Sequence, residues 1–161
     1  MPGRLESINV SRGGVPKHPV SEAIVGELGL DGDRQRFPYH GGADRAATLF
    51  SLEMIRSLQA EGHPIDVGTT GENLTVSGLE WSALVPGVEL QIGPVRLAIT
   101  KYAIPCQTIT ESFVDGRIAR ISHKLHAGAS RLCARVVAGG SIRVGDTVSI
   151  ARSPSDSSPS A

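Results

Sequence analysis

The chain has 161 residues, with 16 basic and 16 acidic side chains and no net charge at pH 7. That length suits one domain with a real core, and the balanced charge argues against an electrostatic grip on nucleic acid or anionic lipid. No apolar run reaches membrane-spanning length, and Met1-Pro2-Gly3-Arg4 carries no apolar leader, so no membrane partner is expected and the expected location is the cytoplasm.

Leu5 to Val10 reads as a first strand, broken by a turn over Ser11-Arg12-Gly13-Gly14-Val15-Pro16-Lys17. A β-prone run follows from Val20 to Leu28. Residues 29–45 then form a long, charged loop containing Phe37, Tyr39 and His40, too long for a simple connector. Ala46 to Phe50 fits a short buried strand. Ser51 is a good N-cap, and Leu52, Ile55 and Leu58 recur at helical spacing before Gly62, which predicts a helix over Ser51 to Glu61. Gly68-Thr69-Thr70-Gly71 is a turn that leads into a strand over Glu72 to Val76. Val88–Ile92 and Val95–Ile99 alternate around Gly93-Pro94 and predict a hairpin. A helical turn is expected after Cys106, and Ile118, Ile121 and Leu125 suggest a second helix. Leu132–Val137 and Asp146–Ile150 read as the last strands, with residues 152–161 a disordered Ser/Pro-rich tail beyond a domain spanning 1–151. Many short strands in a chain with 19 glycines and ten prolines predict a mainly β fold with a few helices, built as a closed or partly closed β-barrel.

The stretch Thr100 to Thr108 carries the most suggestive chemistry. Pro105 lacks a ladder N–H and disfavours helix at Ile104, so the strand should end there. Proline also suits a helix's first turn, which would leave Cys106 at a strand-to-helix corner. A helix dipole and the nearby Lys101 would both favour the thiolate, the form that attacks and ligates metals. Against this, free cysteine is among the most often buried residue types and commonly only packs. Without a secretory leader, Cys106 and Cys133 are expected as reduced thiols.

Three further groups stand out. Asp33-Arg34-Gln35 and His40-Gly41-Gly42-Ala43-Asp44-Arg45 combine paired glycines with guanidiniums, which suits an anion; a solvated turn-rich loop would use the same residues. Gly71-Glu72-Asn73-Leu74-Thr75 sets a carboxylate, an amide and a hydroxyl at a strand start, where they would read a heterocycle's edges or simply complete a turn. His123 and His126 lie near Lys124 and Arg131, which would suit a phosphate or merely cover a helix surface. None of the five histidines shows the spacing of a zinc site, no Gly-x-Ser-x-Gly elbow is present, and no phosphate-loop or dinucleotide fingerprint occurs.

Together these segments resemble the MOSC domain, the family named for the C-terminal part of molybdenum cofactor sulfurase. The matching pieces are Val10-Ser11 to Lys17, Gly29 to Asp33 with His40-Gly41-Gly42 and Arg45, Gly71-Glu72-Asn73-Leu74-Thr75, Pro105-Cys106, and Gly128 through Asp146, in the family's order. The chain is most similar to small stand-alone bacterial members, related to proteins of N-hydroxylated-purine resistance and to the mitochondrial amidoxime-reducing component. The resemblance implies a barrel-like β fold and a site for the molybdenum cofactor, a phosphate-bearing pterin whose dithiolene holds the metal. It places Cys106 at the family's cysteine, a molybdenum ligand in some members and a proposed sulfur carrier in others. On that footing Arg34, His40, Gly41, Gly42, Arg45 and Lys101 are candidates for the cofactor's anionic end, and Glu72, Asn73 and Thr75 for its pterin. Cys133 reads as packing. The chain lacks the sulfurase's aminotransferase-like part, so no pyridoxal phosphate is expected. No flavin or zinc is expected either, and a reductase of this kind would draw electrons from a separate protein.

Three functions follow as expectations. One is reduction of small N-hydroxylated bases or related compounds, with Cys106 on the metal. The second is sulfur carriage on a Cys106 persulfide, and the third is storage or delivery of the intact cofactor.

Overall fold

The structure is a computed structural model that describes residues 2–34 and 42–153. In chain order its strands are β1 (Gly3–Val10), β2 (His18–Val20), β3 (Glu22–Gly26), β4 (Gly29–Leu30), β5 (Ala47–Ser51), β6 (Leu74–Ser77), β7 (Glu89–Ile92), β8 (Val95–Tyr102), β9 (Leu132–Ala138), β10 (Gly140–Arg143) and β11 (Thr147–Arg152), with helix α1 (Leu52–Ala60) between β5 and β6.

Seven strands run in the order β11-β7-β8-β9-β5-β6-β1, and β1 returns to β11 through Gly3↔Val148, which closes the sheet into a barrel. Closure removes the open edges on which strands of different molecules would otherwise pair. β2 extends the sheet beyond β1, and β3, β4 and β10 form a separate small sheet. Every barrel pairing is antiparallel except β5–β6, which α1 connects as a crossover.

The core follows the strand period. Leu5, Leu49, Leu74, Leu90, Ile92, Leu97, Ile99 and Val148 fill the barrel, each at most 2% exposed. Phe50, one residue beyond Leu49, packs instead with Ile55 and Leu58 of α1 and with Ile109, Phe113 and Ile121 in a second cluster. The single step from Leu49 to Phe50 reverses the side-chain direction, so β5 serves both clusters.

Several expected elements are observed with shifted bounds. α1 starts after Ser51, whose Oγ accepts from the Met54 N–H at 3.1 Å, and its C-terminal turn ends at Gly62, with φ +100°. The expected hairpin is β7–β8, with Ile92 opposite Val95. The Val20–Leu28 run is not one strand; it divides into parts of β2 and β3 and the turn before β4. β10 was not anticipated at Gly139-Gly140. The second helix expected over Ile118–Leu125 is absent: a 3-10 turn spans Ile118–Ile121 and Ser122 is already extended. Ile121 is buried whereas Leu125 is 65% exposed, so the three apolar residues never form one buried face.

β11 continues to Arg152, and the tail expected over its last residues lies, from 154 onward, outside the described residues. No helix among the described residues is long and apolar enough to cross a membrane.

Candidate functional site

At the end of β8 the chain leaves the sheet. Ala103 still donates its N–H to the Arg131 carbonyl at 2.9 Å, and after Ile104 and Pro105 comes Cys106. The expected corner is there, with Cys106 extended at the cap position of a six-residue 3-10 helix, Gln107–Ser112. Cys106 is half-buried, and its Sγ lies 2.8 Å from Thr108 Oγ1. So short a 3-10 segment supplies little dipole; the charges around this thiol are basic side chains from elsewhere in the chain.

Cys106 lines a pocket of about 120 Å³. The other walls come from distant segments: Lys17, Arg45, Thr70 with Gly71, and Arg131 with Cys133. Strand pairing explains the meeting. β9 lies between β8 and β5, and its Cys133 faces Lys101 on one side and Thr48 on the other. Arg131, just before β9, is therefore held beside the loop that carries Cys106.

The three basic residues of this pocket are not equivalent. Lys17 Nζ makes an ion pair of 2.6 Å with Asp33 Oδ1, with both side chains about 95% buried (4% and 5% exposed). Arg45 closes a short turn, Ala43–Arg45. Arg131 is 7% exposed and forms no ion pair with any described residue. Its Nη1 donates to the Thr70 carbonyl at 2.6 Å, while its buried Nε has no hydrogen-bond partner among the described residues. Burial pulls the Arg131 pKa down, opposed by Glu72, Cys133 and Cys106. A guanidinium remains charged even so, and a buried charge with an idle donor is costly unless an anion joins it.

Burial likewise pushes the Cys133 thiol up from its ordinary value, against the pull of Arg45, Arg131 and Lys101. Cys133, expected only to pack, is buried and also lines the pocket.

The remaining predicted residues are placed as follows. Arg45 lines the pocket. Arg34 is exposed, donates its backbone N–H to the Ser11 carbonyl, and is not a wall residue. Gly42 is exposed, with φ +96°, and begins the turn to Arg45. His40 and Gly41 lie outside the described residues. Lys101 is half-buried on β8, outside the pocket wall but within electrostatic reach of Cys133.

Glu72, Asn73 and Thr75 do not face the pocket; all three are 0% exposed. Glu72 accepts from the Gly68 N–H and the Thr70 and Thr75 hydroxyls at 3.0–3.1 Å. Asn73 accepts from the Thr48 N–H and donates to Asn9 O and Asp33 Oδ2. These polar groups hold the turn that presents Thr70 and Gly71, because buried polar atoms are retained only where they are satisfied. Burial dominates at Glu72 and raises its pKa despite the three donors.

Lys17, Thr70 and Thr108 were not singled out in the sequence, and Arg131, weighed there only beside His123 and His126 as a phosphate contact, lines the thiol pocket without either histidine.

The barrel and the pocket can now be set beside known proteins. The family model described as MOSC domain matches residues 36–149, well over half the chain. YiiM from Geobacillus stearothermophilus superposes with a TM-score of 0.74 at 22% identity, covering 94% of this chain and 76% of that one. YiiM from Escherichia coli gives 0.72 at 22% identity, covering 94% and 70%. The YuaD protein from Bacillus subtilis gives 0.74 at 16% identity, covering 92% and 94%. No curated protein matches the sequence. With the motifs in order, a seven-strand closed barrel and a family match across β5 to β11, the chain belongs to the MOSC domain family.

Proposed function

We propose that this protein binds the molybdenum cofactor and reduces N-hydroxylated bases or related compounds, with Cys106 as the thiolate ligand to the metal. The observation that carries this reading is Arg131: a buried guanidinium with an unpartnered Nε, facing the same small pocket as a half-buried thiol. A soft sulfur donor beside uncompensated positive charge fits an anionic pterin dithiolene. When bound, that group would supply a metal able to exchange electrons in steps the side chains cannot perform.

The chain's own residues have separate tasks in this scheme. Cys106 Sγ ligates, and Thr108 Oγ1, within hydrogen-bond distance, donates to the thiolate and sets its direction. Arg131 and Arg45 hold negative charge. Lys17 is already neutralised by Asp33 and shapes the wall. Electrons arrive from a separate donor protein.

A second reading has its own support, the second thiol at the same pocket. As a sulfur carrier, the Cys106 thiolate would attack the terminal sulfur of a donor persulfide, R–S–SH. The donor S–S bond breaks, R–S⁻ leaves with the electron pair, and Cys106 becomes Cys–S–SH.

Molybdenum and pterin content of protein from a cofactor-producing host, measured beside Cys106→Ser, tests both. Stoichiometric metal that falls sharply in the variant is the expected result. Protein without metal or pterin, but with a persulfide mass increment on Cys106, overturns the reductase reading in favour of the carrier.

A further inference from the structure

Thr100 interrupts the regular pairing of β8 with β9. Ile99 stands opposite Ala134 and Lys101 opposite Cys133, so two steps along β8 match one step along β9. That mismatch is a β-bulge, and Thr100 is its extra residue. A bulge re-aims the side chain it carries, and here the hydroxyl reaches out of β8 to a distant segment.

Thr100 Oγ1 lies 2.5 Å from the Asp44 carbonyl oxygen and 3.2 Å from the Cys133 carbonyl oxygen. A hydroxyl has one hydrogen to donate and both partners only accept, so the shorter contact takes it. Asp44 is the middle residue of the 3-10 turn Ala43–Arg45. That turn is otherwise weakly held. None of its residues is buried, no side chain caps its start, and it closes through the Arg45 N–H on the Gly42 carbonyl at 3.0 Å. Among the described residues, Thr100 supplies the only side-chain hydrogen bond to it.

Arg45 depends on this turn for its place. It is half-buried, lines the thiol pocket and makes no ion pair with any described residue. Gripping an anion orders both a guanidinium and the loop that carries it, and a turn fixed beforehand removes the loop's share of that cost. We propose that Thr100 is a positioning residue for the thiol pocket: its hydroxyl pins the turn at Asp44 and so holds Arg45 at the pocket wall. The task of Arg45, holding negative charge, rests on the cofactor reading above; the tether itself does not.

Thr100→Val keeps the β-branched shape and removes the hydroxyl, and Thr100→Ser restores the hydroxyl. Both are compared with wild type in the full chain. By nuclear magnetic resonance, the amide order parameter of Arg45 should fall from about 0.85 to below about 0.6 in Thr100→Val. It should recover in Thr100→Ser, while that of Leu49 inside the barrel stays unchanged in both. Pterin retained by protein from a cofactor-producing host should fall about three- to tenfold in Thr100→Val, the scale of one hydrogen bond. Because Thr100 acts through Arg45, adding Thr100→Val to Arg45→Gln should cause no further loss. A merely structural threonine would lower retention equally in both backgrounds. An unmoved Arg45 amide, or that equal loss beside Arg45→Gln, would overturn the inference. Wild-type protein without pterin would sink the cofactor reading instead, and the Arg45 order parameter would still decide the tether.

Discussion

Arg131 Nη1 donates to the carbonyl oxygen of Thr70 at 2.6 Å, across 61 residues of sequence, and so ties the entrance of β9 to the turn before β6. The bond satisfies one donor of a buried cation, whose Nε is buried without a hydrogen-bond partner among the described residues. Under the proposed function this residue is held for an anion, at some cost to the stability of the unliganded protein.

Replacing Arg131 by Met tests that cost. An apolar chain of similar reach removes an uncompensated buried charge, so stability should stay within about 1 kcal/mol of wild type or rise. Retention of the molybdenum cofactor should fall by tenfold or more, the scale of a lost charge-assisted contact. Thermal melting and metal analysis of the same samples check both. A large loss of stability would mean that the Thr70 tie outweighs the buried charge.

The two pocket thiols should separate cleanly. Cys106→Ser is expected to lose most bound metal, whereas Cys133→Ala, which removes a buried thiol whose pKa is raised by burial, should keep it. Equal losses in both variants would make Cys133 part of the ligand set.

Lys17 and Asp33 form an ion pair that is almost wholly buried. Lys17→Met strands the Asp33 carboxylate, which retains donors from the Ser11 N–H and Asn73 Nδ2 but no cation. The expected loss is about 3–5 kcal/mol. The double variant Lys17→Met with Asp33→Leu should recover a large part of it, as denaturant unfolding would show.

Glu72 provides a pH signature. Its unfolded carboxyl titrates near the ordinary value of 4.5, while burial raises the folded value. Between the two the native state binds more protons than the unfolded state, so this group's contribution to stability is fully present below 4.5 and is lost as pH rises through the folded value. Glu72→Gln cannot titrate. Wild-type stability should therefore decline relative to the variant with rising pH in that window, by at most about 1.4 kcal/mol per pH unit. A parallel pair of stability–pH curves would contradict the assignment.

Much of the barrel was legible because its signals are local. Ser51 caps α1 through its own neighbour Met54, Gly93-Pro94 turns β7 into β8, and Pro105 follows the end of β8 at Tyr102, just before Cys106. Each of the first two needs only a few consecutive residues and left a readable pattern, whereas β8 stops at Tyr102, short of the end expected at Pro105. The MOSC motifs added the order in which such pieces recur.

The membership of the pocket was decided by tertiary structure. Glu72 and Asn73 look like ligand-reading groups at a strand start, but their partners are Gly68, Thr48, Asn9 and Asp33, and pairing β1, β5 and β6 buries them all. His123 and Arg131 appear together in sequence as one basic cluster. The extended backbone between Ser130 and Cys133 alternates its side chains, which sends Arg131 to the thiol pocket and leaves His123 with a separate cavity lined by Ser130 and Leu132 on the other face. Lys17, Arg45, Cys106 and Arg131 meet because β8, β9, β5, β6 and β1 are successive neighbours in the sheet. Sequence determined which chemical groups this protein possesses and where its chain turns; strand order and register decided which of those groups share a pocket, because both are set by pairings between segments tens of residues apart.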